Sequence, residues 1–338
     1  MRVAYILSPY CYYANVFSGV VVQARCWKEA LEALGHEVAL VSALESIDWK
    51  TFDLVHLFQH GSWCAPLLSD LAAAGVPTVM SPIIDPPRPY GLIASLVSRI
   101  PFERARLQQN QRLLRNYGAT CTRMLSRSQL ERRSLEVVGV PASKIVNVPI
   151  SISKDWVIDE ATISGVERNG AVLHVSHLAQ PRKNVRLLVE VAAERGFLLR
   201  LGGSVSDPSF AAWLKAIEAA HPNVTYLGRL SDSQMLEEML TCSVFCLPSL
   251  FEGVGLVALD AGYCGAKLVV STAGGTSDYL GPHALYIDPH AGKSLGDAIQ
   301  QALSMSLPDV EVHRHVEREF SKLASGRKLE TAYGDMLG

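Results

Sequence analysis

Two acidic side chains and two glycines lie close together in the last third of the chain. Glu252 is followed by Gly253 and Gly255, and Asp260 comes eight residues after the first acid. Glycine lets a ligand approach bare backbone, and carboxylates accept hydrogen bonds from pairs of hydroxyl groups. This combination predicts a site for a hydroxyl-rich ligand.

The stretch around these residues has the pattern of a strand, a turn and a helix. Val244–Leu247 is a continuous apolar run typical of a buried strand, and a helical pattern starts near Gly255. The amino end of a helix offers unpaired N–H groups and the positive end of its dipole to an anion. A phosphate at this end, with vicinal hydroxyls beside the acids, describes a nucleotide sugar.

Three basic side chains follow another predicted strand, Val172–Val175. His177, Arg182 and Lys183 lie where this strand gives way to a predicted helix over 183–195. Positive charge fixed at such an edge can neutralise a departing diphosphate, although these residues also fit the exposed first turn of a helix. In the first half of the chain, Gly19 occupies a strand-to-helix loop where a phosphate can meet a helix start.

Short apolar runs alternate with amphipathic stretches along all 338 residues, which predicts α/β architecture with parallel sheets and helices on both faces. A long helix over 90–117, ended by Gly118, is part of this pattern. The alternation restarts after 149–170, a polar stretch without periodicity. We therefore predict two Rossmann-like, doubly wound domains, 1–152 plus a closing helix at about 322–338, and 153–321. The carboxyl ends of their sheets are expected to face a central cleft.

The composition argues against several classes of protein. A net charge of −2 gives no reason to expect nucleic acid, and seven cysteines without a Cys-x-x-Cys pair favour reduced thiols in the cytoplasm over a zinc site. Nine arginines gather in 99–133. This region is either a pair of solvated helix faces or a binding surface. As a binding surface it would contact anionic lipid at the inner membrane face, or a phosphorylated acceptor.

The segment 223–275, with HLAQPRKN at 177–184 and KIVNVPISI at 144–152, resembles glycosyltransferase family 4, retaining enzymes of the GT-B fold. The resemblance implies a Glu-x7-Glu element in which Glu252 contacts the donor sugar and Asp260 the ribose hydroxyls. It implies that Lys183 and His177 hold the diphosphate, that the second domain binds the donor and that the first binds the acceptor. Further donor contacts are implied for Gly19, Arg182, Leu230, Gly253, Val254, Gly255 and Leu256.

Several positions depart from the family's pattern. Asp260 replaces a glutamate and is one methylene shorter, and His177 replaces an arginine, so its charge depends on pH around ~6.5. Ser18 stands in place of a glycine. The family's histidine in the first domain is missing from 80–85, and Asp85 and His60, which follow predicted first-domain strands, are the candidates we assign to the acceptor side.

These residues and the resemblance predict a retaining glycosyltransferase that needs no metal or cofactor. It would move a sugar from a nucleotide diphosphate sugar to a hydroxyl of a glycan or lipid-linked acceptor. Two alternatives keep the same fold, a nucleotide-sugar epimerase and a binding protein without catalysis. A third is a nicotinamide-dependent oxidoreductase that uses 253–258 as a Gly-x-Gly-x-x-Ala fingerprint. That last alternative sets the Glu252 carboxylate beside a pyrophosphate, which it would repel.

Overall fold

The computed structural model describes residues 1–13, 19–41, 46–86, 90–100 and 110–337, and the chain divides into two compact units. The first unit comprises Met1–Ser151 and Phe320–Gly338, and the second comprises Ile152–Glu319. Each unit contains one parallel sheet of six strands. No helix of the described residues is both long and apolar enough to cross a membrane.

All strand pairs in both sheets are parallel, so every connection between neighbours crosses over through other elements. The strands are β1 (Arg2–Leu7), β2 (Glu37–Leu40), β3 (Leu54–Phe58), β4 (Thr78–Ser81), β5 (Arg123–Ser126), β6 (Ile145–Asn147), β7 (Val172–Val175), β8 (Leu199–Gly202), β9 (Val224–Gly228), β10 (Val244–Leu247), β11 (Lys267–Ser271) and β12 (Leu285–Ile287). The strand order is β2-β1-β3-β4-β5-β6 in the first unit and β12-β11-β10-β7-β8-β9 in the second.

Helices connect and cover the strands, which explains why the central strands are buried along their whole length. Every residue of β3, β4, β7 and β10 is buried. The helices of the described residues are α1 (Pro9–Tyr13), α2 (Gly19–Ala33), α3 (Cys64–Ala74), α4 (Leu92–Val97), α5 (Asn110–Thr120), α6 (Gln129–Val137), α7 (Glu160–Gly165), α8 (Val185–Arg195), α9 (Pro208–Ala220), α10 (Asp232–Thr241), α11 (Leu256–Tyr263), α12 (Thr276–Leu280), α13 (Gly292–Leu303), α14 (Val310–Phe320) and α15 (Lys322–Leu337).

The last helix, α15, completes the first unit. Trp27 on α2 donates its indole N–H to Ser325 Oγ at 2.9 Å, and His56 Nδ1 lies 2.6 Å from the Tyr333 hydroxyl. The other ring nitrogen of His56 lies 2.8 Å from Ser81 Oγ. Burial lowers the pKa of His56 to about 3, so the imidazole is neutral. Residues far apart in the chain thus share one buried polar network.

The single helix predicted over 90–117 is wrong. The structure has two separate helices there, α4 and α5, with 101–109 outside the described residues. Gly118 does not end a helix but lies within α5, where an added Cβ would come within 2.7 Å of Val140 Cγ2. This glycine permits close packing rather than termination. The polar stretch 149–170 also contains a helix, α7, which Asp159 caps by accepting the Thr162 N–H at 2.8 Å.

Candidate functional site

The predicted cations and the first acid lie after β7 and β10, which are neighbours in the second sheet. Lys183 does not begin a helix, as the sequence predicts, but ends a short 3₁₀ turn, Pro181–Lys183. Asn184 has a left-handed backbone (φ 57°), and α8 begins only after it. The Asn184 amide donates to the Pro248 carbonyl at 3.1 Å, which ties this turn to the loop after β10.

Glu252 is the centre of a buried charge cluster. Its carboxylate forms ion pairs with Lys183 and with Arg182 (Nη1 to Oε2, 3.1 Å), and it accepts the Ser249 hydroxyl at 2.8 Å. Glu252 is 7% exposed and Lys183 is 9% exposed. Burial works to raise the pKa of Glu252, but the two cations and the two hydrogen bonds outweigh burial and hold that pKa below its usual value. The carboxylate is therefore ionised at neutral pH.

The backbone of Glu252 is held by the loop after β11. Its N–H donates to the Ala273 carbonyl at 3.1 Å, and its carbonyl accepts the Gly275 N–H at 3.0 Å. Between these partners Gly274 has φ 118°, and a Cβ on it would lie 1.8 Å from the Glu252 carbonyl oxygen. Only glycine allows this approach, so Gly274 fixes the position of the acid.

We expect Gly274→Ala to displace the Glu252 backbone and to lower turnover about fivefold or more, because the strain of a forced backbone is on the order of 1–3 kcal/mol. Steady-state kinetics at a fixed substrate concentration measure this effect. The matched control is Gly170→Ala, since Gly170 also has a left-handed backbone (φ 73°) but open space around an added Cβ. Equal activities of the two variants would contradict the role of Gly274.

The helix start predicted at Gly255 is confirmed. Gly255 is the amino-terminal cap of α11 with φ 77°, and Leu256 is the first helical residue. A Cβ on Gly255 would lie 2.9 Å from Thr276 Cγ2, so the glycine is required both by conformation and by space. Gly253 and Val254 join this cap to Glu252. The first N–H groups of α11 therefore follow the charge cluster directly in the chain, and such groups favour an anion.

Three other predicted donor residues lie outside the Glu252 cluster. His177 is exposed, and its Nδ1 lies 2.8 Å from Ser204 Oγ. Leu230 packs against Gly202, where an added Cβ would come within 2.7 Å of Leu230 Cδ1. Gly19 is the exposed first residue of α2 in the first unit, and Ser18 before it lies outside the described residues. The roles of these three residues stay predictions.

Asp260, the second acid, is 2% exposed, and both of its carboxylate oxygens accept hydrogen bonds from Ser153. Its Oδ1 accepts the Ser153 N–H at 2.8 Å, and its Oδ2 accepts the Ser153 hydroxyl at 2.5 Å. The contact with ribose that the resemblance implies stays a prediction.

In the first unit, Asp85 and His60 lie in the loops after β4 and β3. Arg127 donates to Asp85 Oδ1 at 2.6 Å and is itself paired with the buried carboxylate of Glu131 at 3.0 Å. His60 donates from Nδ1 to the Pro82 carbonyl at 2.9 Å, and burial lowers its pKa. Both side chains therefore have fixed orientations at the carboxyl edge of the first sheet.

Sequence reasoning missed Ser249, Gly274 and His174. Ser249 lies three residues before Glu252, and this short spacing could have indicated a contact between the two side chains. Gly274 lies 22 residues after Glu252, in another loop, so no local pattern indicates that the two residues meet. His174 is a neutral residue of β7: its Nδ1 donates to the Cys246 carbonyl at 2.8 Å, and burial lowers its pKa to about 4. In the described part of the chain, no three His, Cys, Asp or Glu side chains are grouped as a metal site.

The second half of the chain resembles known glycosyltransferases in sequence. Residues 162–318 match the family model described as glycosyl transferases group 1. The chain is 19% identical over 207 residues to the serotype-specific mannosyltransferase WbdA of Escherichia coli, covering 56% of this chain and 25% of that protein. It is 24% identical over 192 residues to the O-antigen chain mannosyltransferase B of Escherichia coli, covering 53% and 49%. The chain thus spans about a quarter to a half of the length of these relatives.

Solved structures resemble the chain over nearly its whole length. The complex of Anabaena Alr3699/HepE with UDP has a TM-score of 0.69 at 16% identity and covers 99% of this chain and 100% of that one. The lipopolysaccharide outer core galactosyltransferase WaaB has a TM-score of 0.68 at 15% identity, with 99% of each chain covered. At this identity the likeness shows the fold alone. The predicted fold class is confirmed: two Rossmann-like α/β units of the GT-B type.

Proposed function

We propose that this protein transfers a sugar from a nucleotide diphosphate sugar to an acceptor hydroxyl. The proposal is supported by the match of residues 162–318 to the family model described as glycosyl transferases group 1. The observation that carries the proposal is the cluster of Glu252, Lys183 and Arg182 next in sequence to the start of α11. A carboxylate for sugar hydroxyls, two cations and a helix start for phosphates are what such a donor requires.

The transfer breaks the bond between the sugar's anomeric carbon and the diphosphate oxygen and forms a bond from that carbon to the acceptor oxygen. Lys183, Arg182 and the first N–H groups of α11 stabilise the negative charge of the departing diphosphate. Glu252 accepts hydrogen bonds from the sugar and fixes its orientation, which lowers the entropic part of the barrier. The acceptor proton passes to the leaving phosphate oxygen on the same face, so the configuration is retained without a protein base or a metal.

We propose mannose as the transferred sugar and GDP-mannose as the donor. The support is that the curated relatives named above are mannosyltransferases, and a further one, from Corynebacterium glutamicum, is described as GDP-mannose-dependent. The acceptor is a glycan or a lipid-linked glycan, held by the first unit near Asp85 and His60. The arginine-rich region 99–133 includes 101–109, outside the described residues, and its contact with anionic lipid stays a prediction.

Thermal unfolding with GDP-mannose, UDP-glucose, UDP-galactose, ADP-glucose and dTDP-glucose tests the donor. A ligand at 100 times its Kd stabilises the native state by about 2.7 kcal/mol, which raises Tm by several degrees. We expect the largest rise with GDP-mannose, and release of GDP when a mannose-containing acceptor is added. A larger rise with another sugar nucleotide would overturn the choice of mannose, and no rise with any of them would overturn donor binding.

If His177 contacts the diphosphate, His177→Ala should lower kcat/KM for the donor, whereas His177→Arg keeps a donor of charge-assisted hydrogen bonds at this position and should retain most of the activity. Steady-state kinetics with the three proteins measure the difference. A His177→Ala variant as active as the wild type would assign the diphosphate contact to Lys183 and Arg182 alone.

A further inference from the structure

The short helix α4 turns a face of large apolar side chains to the solvent. Leu92 and Ile93 are 84% and 78% exposed, and Leu96 and Ile100 are 59% and 43% exposed. In the described part of the chain, no other stretch of ten residues contains two exposed large apolar side chains. Single exposed aliphatic residues are ordinary on protein surfaces, whereas contiguous ones mark sites that contact another molecule. We call these four residues the α4 face.

The orientation of α4 is the reverse of that of a helix that only covers a core. At about 100° per residue, positions 92, 93, 96 and 100 fall within one sector of a helix. The Ile100 N–H continues the turn beyond α4 by donating to the Val97 carbonyl at 3.3 Å. Ala94 packs against the hydrophobic core of the first unit, and Ser98 is buried. A core-covering helix turns its large aliphatic side chains inward. Burial within this unit therefore does not explain the α4 face.

The charge beside the α4 face is positive. Arg99 is exposed, and Nη1 of Arg112 on α5 lies 3.4 Å from the Arg99 carbonyl oxygen, which places that guanidinium at the end of α4. The described residues 90–100 and 110–126 include four arginines and no acidic residue. The helix α6 also packs against α4, and its two acids are paired with arginines, namely Glu131 with Arg127 and Glu136 with Arg132. An anionic surface is therefore attracted to this part of the first unit.

These two properties fit the boundary of a bilayer that contains anionic lipid. Aliphatic side chains enter the acyl region there, and guanidinium groups stay at the level of the phosphates. A two-fold contact between two copies of the α4 face would instead bring Arg99 and Arg112 of both chains together, and like charges oppose such a pairing. Charge complementarity thus favours a membrane surface over a second copy of the chain.

We propose that the α4 face inserts into the surface of a membrane that contains anionic lipid, with Arg99 and Arg112 at the lipid phosphates. A helix that spans a bilayer needs about 20 apolar residues, so this contact is peripheral. It does not depend on the nucleotide or the sugar of the proposed reaction. For that reaction it brings the first unit to an acceptor anchored in a membrane.

Sedimentation of the full chain with lipid vesicles tests this contact. We expect binding to vesicles of equal parts phosphatidylcholine and phosphatidylglycerol to be at least about fivefold tighter than to phosphatidylcholine alone, since each arginine near an anionic surface contributes about fivefold. Leu92→Ser and Ile93→Ser should each weaken binding to the anionic vesicles about tenfold, because each removes one inserted aliphatic side chain. The matched control is Val157→Ser in the second unit, where the valine is 97% exposed, and this variant should bind like the wild type.

Arg99→Gln separates the charge from the apolar insertion. It should weaken binding to the anionic vesicles about fivefold and leave binding to phosphatidylcholine unchanged. Because all of the substituted side chains are exposed, the variants should keep the wild-type Tm, which thermal unfolding checks.

Absence of wild-type binding to the anionic vesicles would overturn the proposal, and so would losses of the same size in Leu92→Ser and Val157→Ser. A dimer that dissociates in Leu92→Ser, measured by analytical ultracentrifugation without lipid, would mean that a second copy covers the α4 face and would also overturn it. If no sugar nucleotide binds the protein, the proposed donor is wrong, and the sedimentation result still decides whether α4 contacts lipid.

Discussion

Replacing Glu252 with glutamine is expected to lower kcat by about a hundredfold or more, the range measured when one preorganised polar group is removed from a transition state. Glutamine keeps the shape of the side chain but removes the charge that orients Lys183 and Arg182. It also weakens the acceptor for the sugar hydroxyls. Steady-state kinetics with a fixed acceptor measure the loss, and circular dichroism checks the fold.

A matched control is Glu238→Gln, which removes a carboxylate from another partly buried ion pair of the second unit, with Arg200. Glu238 pairs with Arg200 on β8 and not with the cations after β7. We therefore expect the kcat of the Glu238→Gln variant to stay within about twofold of the wild-type value. A Glu252→Gln enzyme as active as Glu238→Gln would show that the cluster is structural and would remove the main support for the proposed mechanism.

The second large effect is expected from Lys183→Gln. We expect the Kd for GDP to rise by about thirtyfold or more, because a buried cation that forms charge-assisted hydrogen bonds with phosphate contributes about 2 kcal/mol. The affinity for guanosine, which has no phosphate, should stay the same. Calorimetric titration with both ligands separates the phosphate contribution from that of the base.

The control for Lys183→Gln is Lys215→Gln, on the exposed side of α9, which should bind both ligands like the wild type. The variant also removes the nearest cation from Glu252. Without the positive charge of Lys183, burial raises the pKa of the Glu252 carboxyl. A larger fraction of the protein molecules therefore carries a protonated Glu252 as the pH falls. Equal losses for GDP and for guanosine would mean that Lys183 supports the local fold and not the diphosphate.

The local pattern of apolar and polar residues was enough to predict most of the elements that carry the site. Val244–Leu247 and the helix start at Gly255 have signals within a few residues, namely an apolar run and a glycine before a helical period. Each of these predictions depends only on neighbours along the chain.

The errors lie where tertiary contacts decide the structure. Gly118 has the pattern of a helix terminator, but Val140, in the connection after α6, occupies the space that a side chain would need. Lys183 has the pattern of a first helical turn, but the left-handed Asn184 delays α8. The pairing of Asp260 with Ser153 joins residues 107 positions apart. The periodicity of the sequence does not predict such contacts, because they depend on the tertiary structure.

The return of α15 to the first unit sets an order for synthesis. The second unit is one continuous stretch, so it can assemble as soon as residue 319 has left the ribosome. The first unit cannot, because Trp27 and His56 have partners on α15 that are translated about 300 residues later. A nascent chain therefore carries an unfinished amino-terminal half until α15 has been translated, and premature termination after residue 319 would leave that half exposed to proteases.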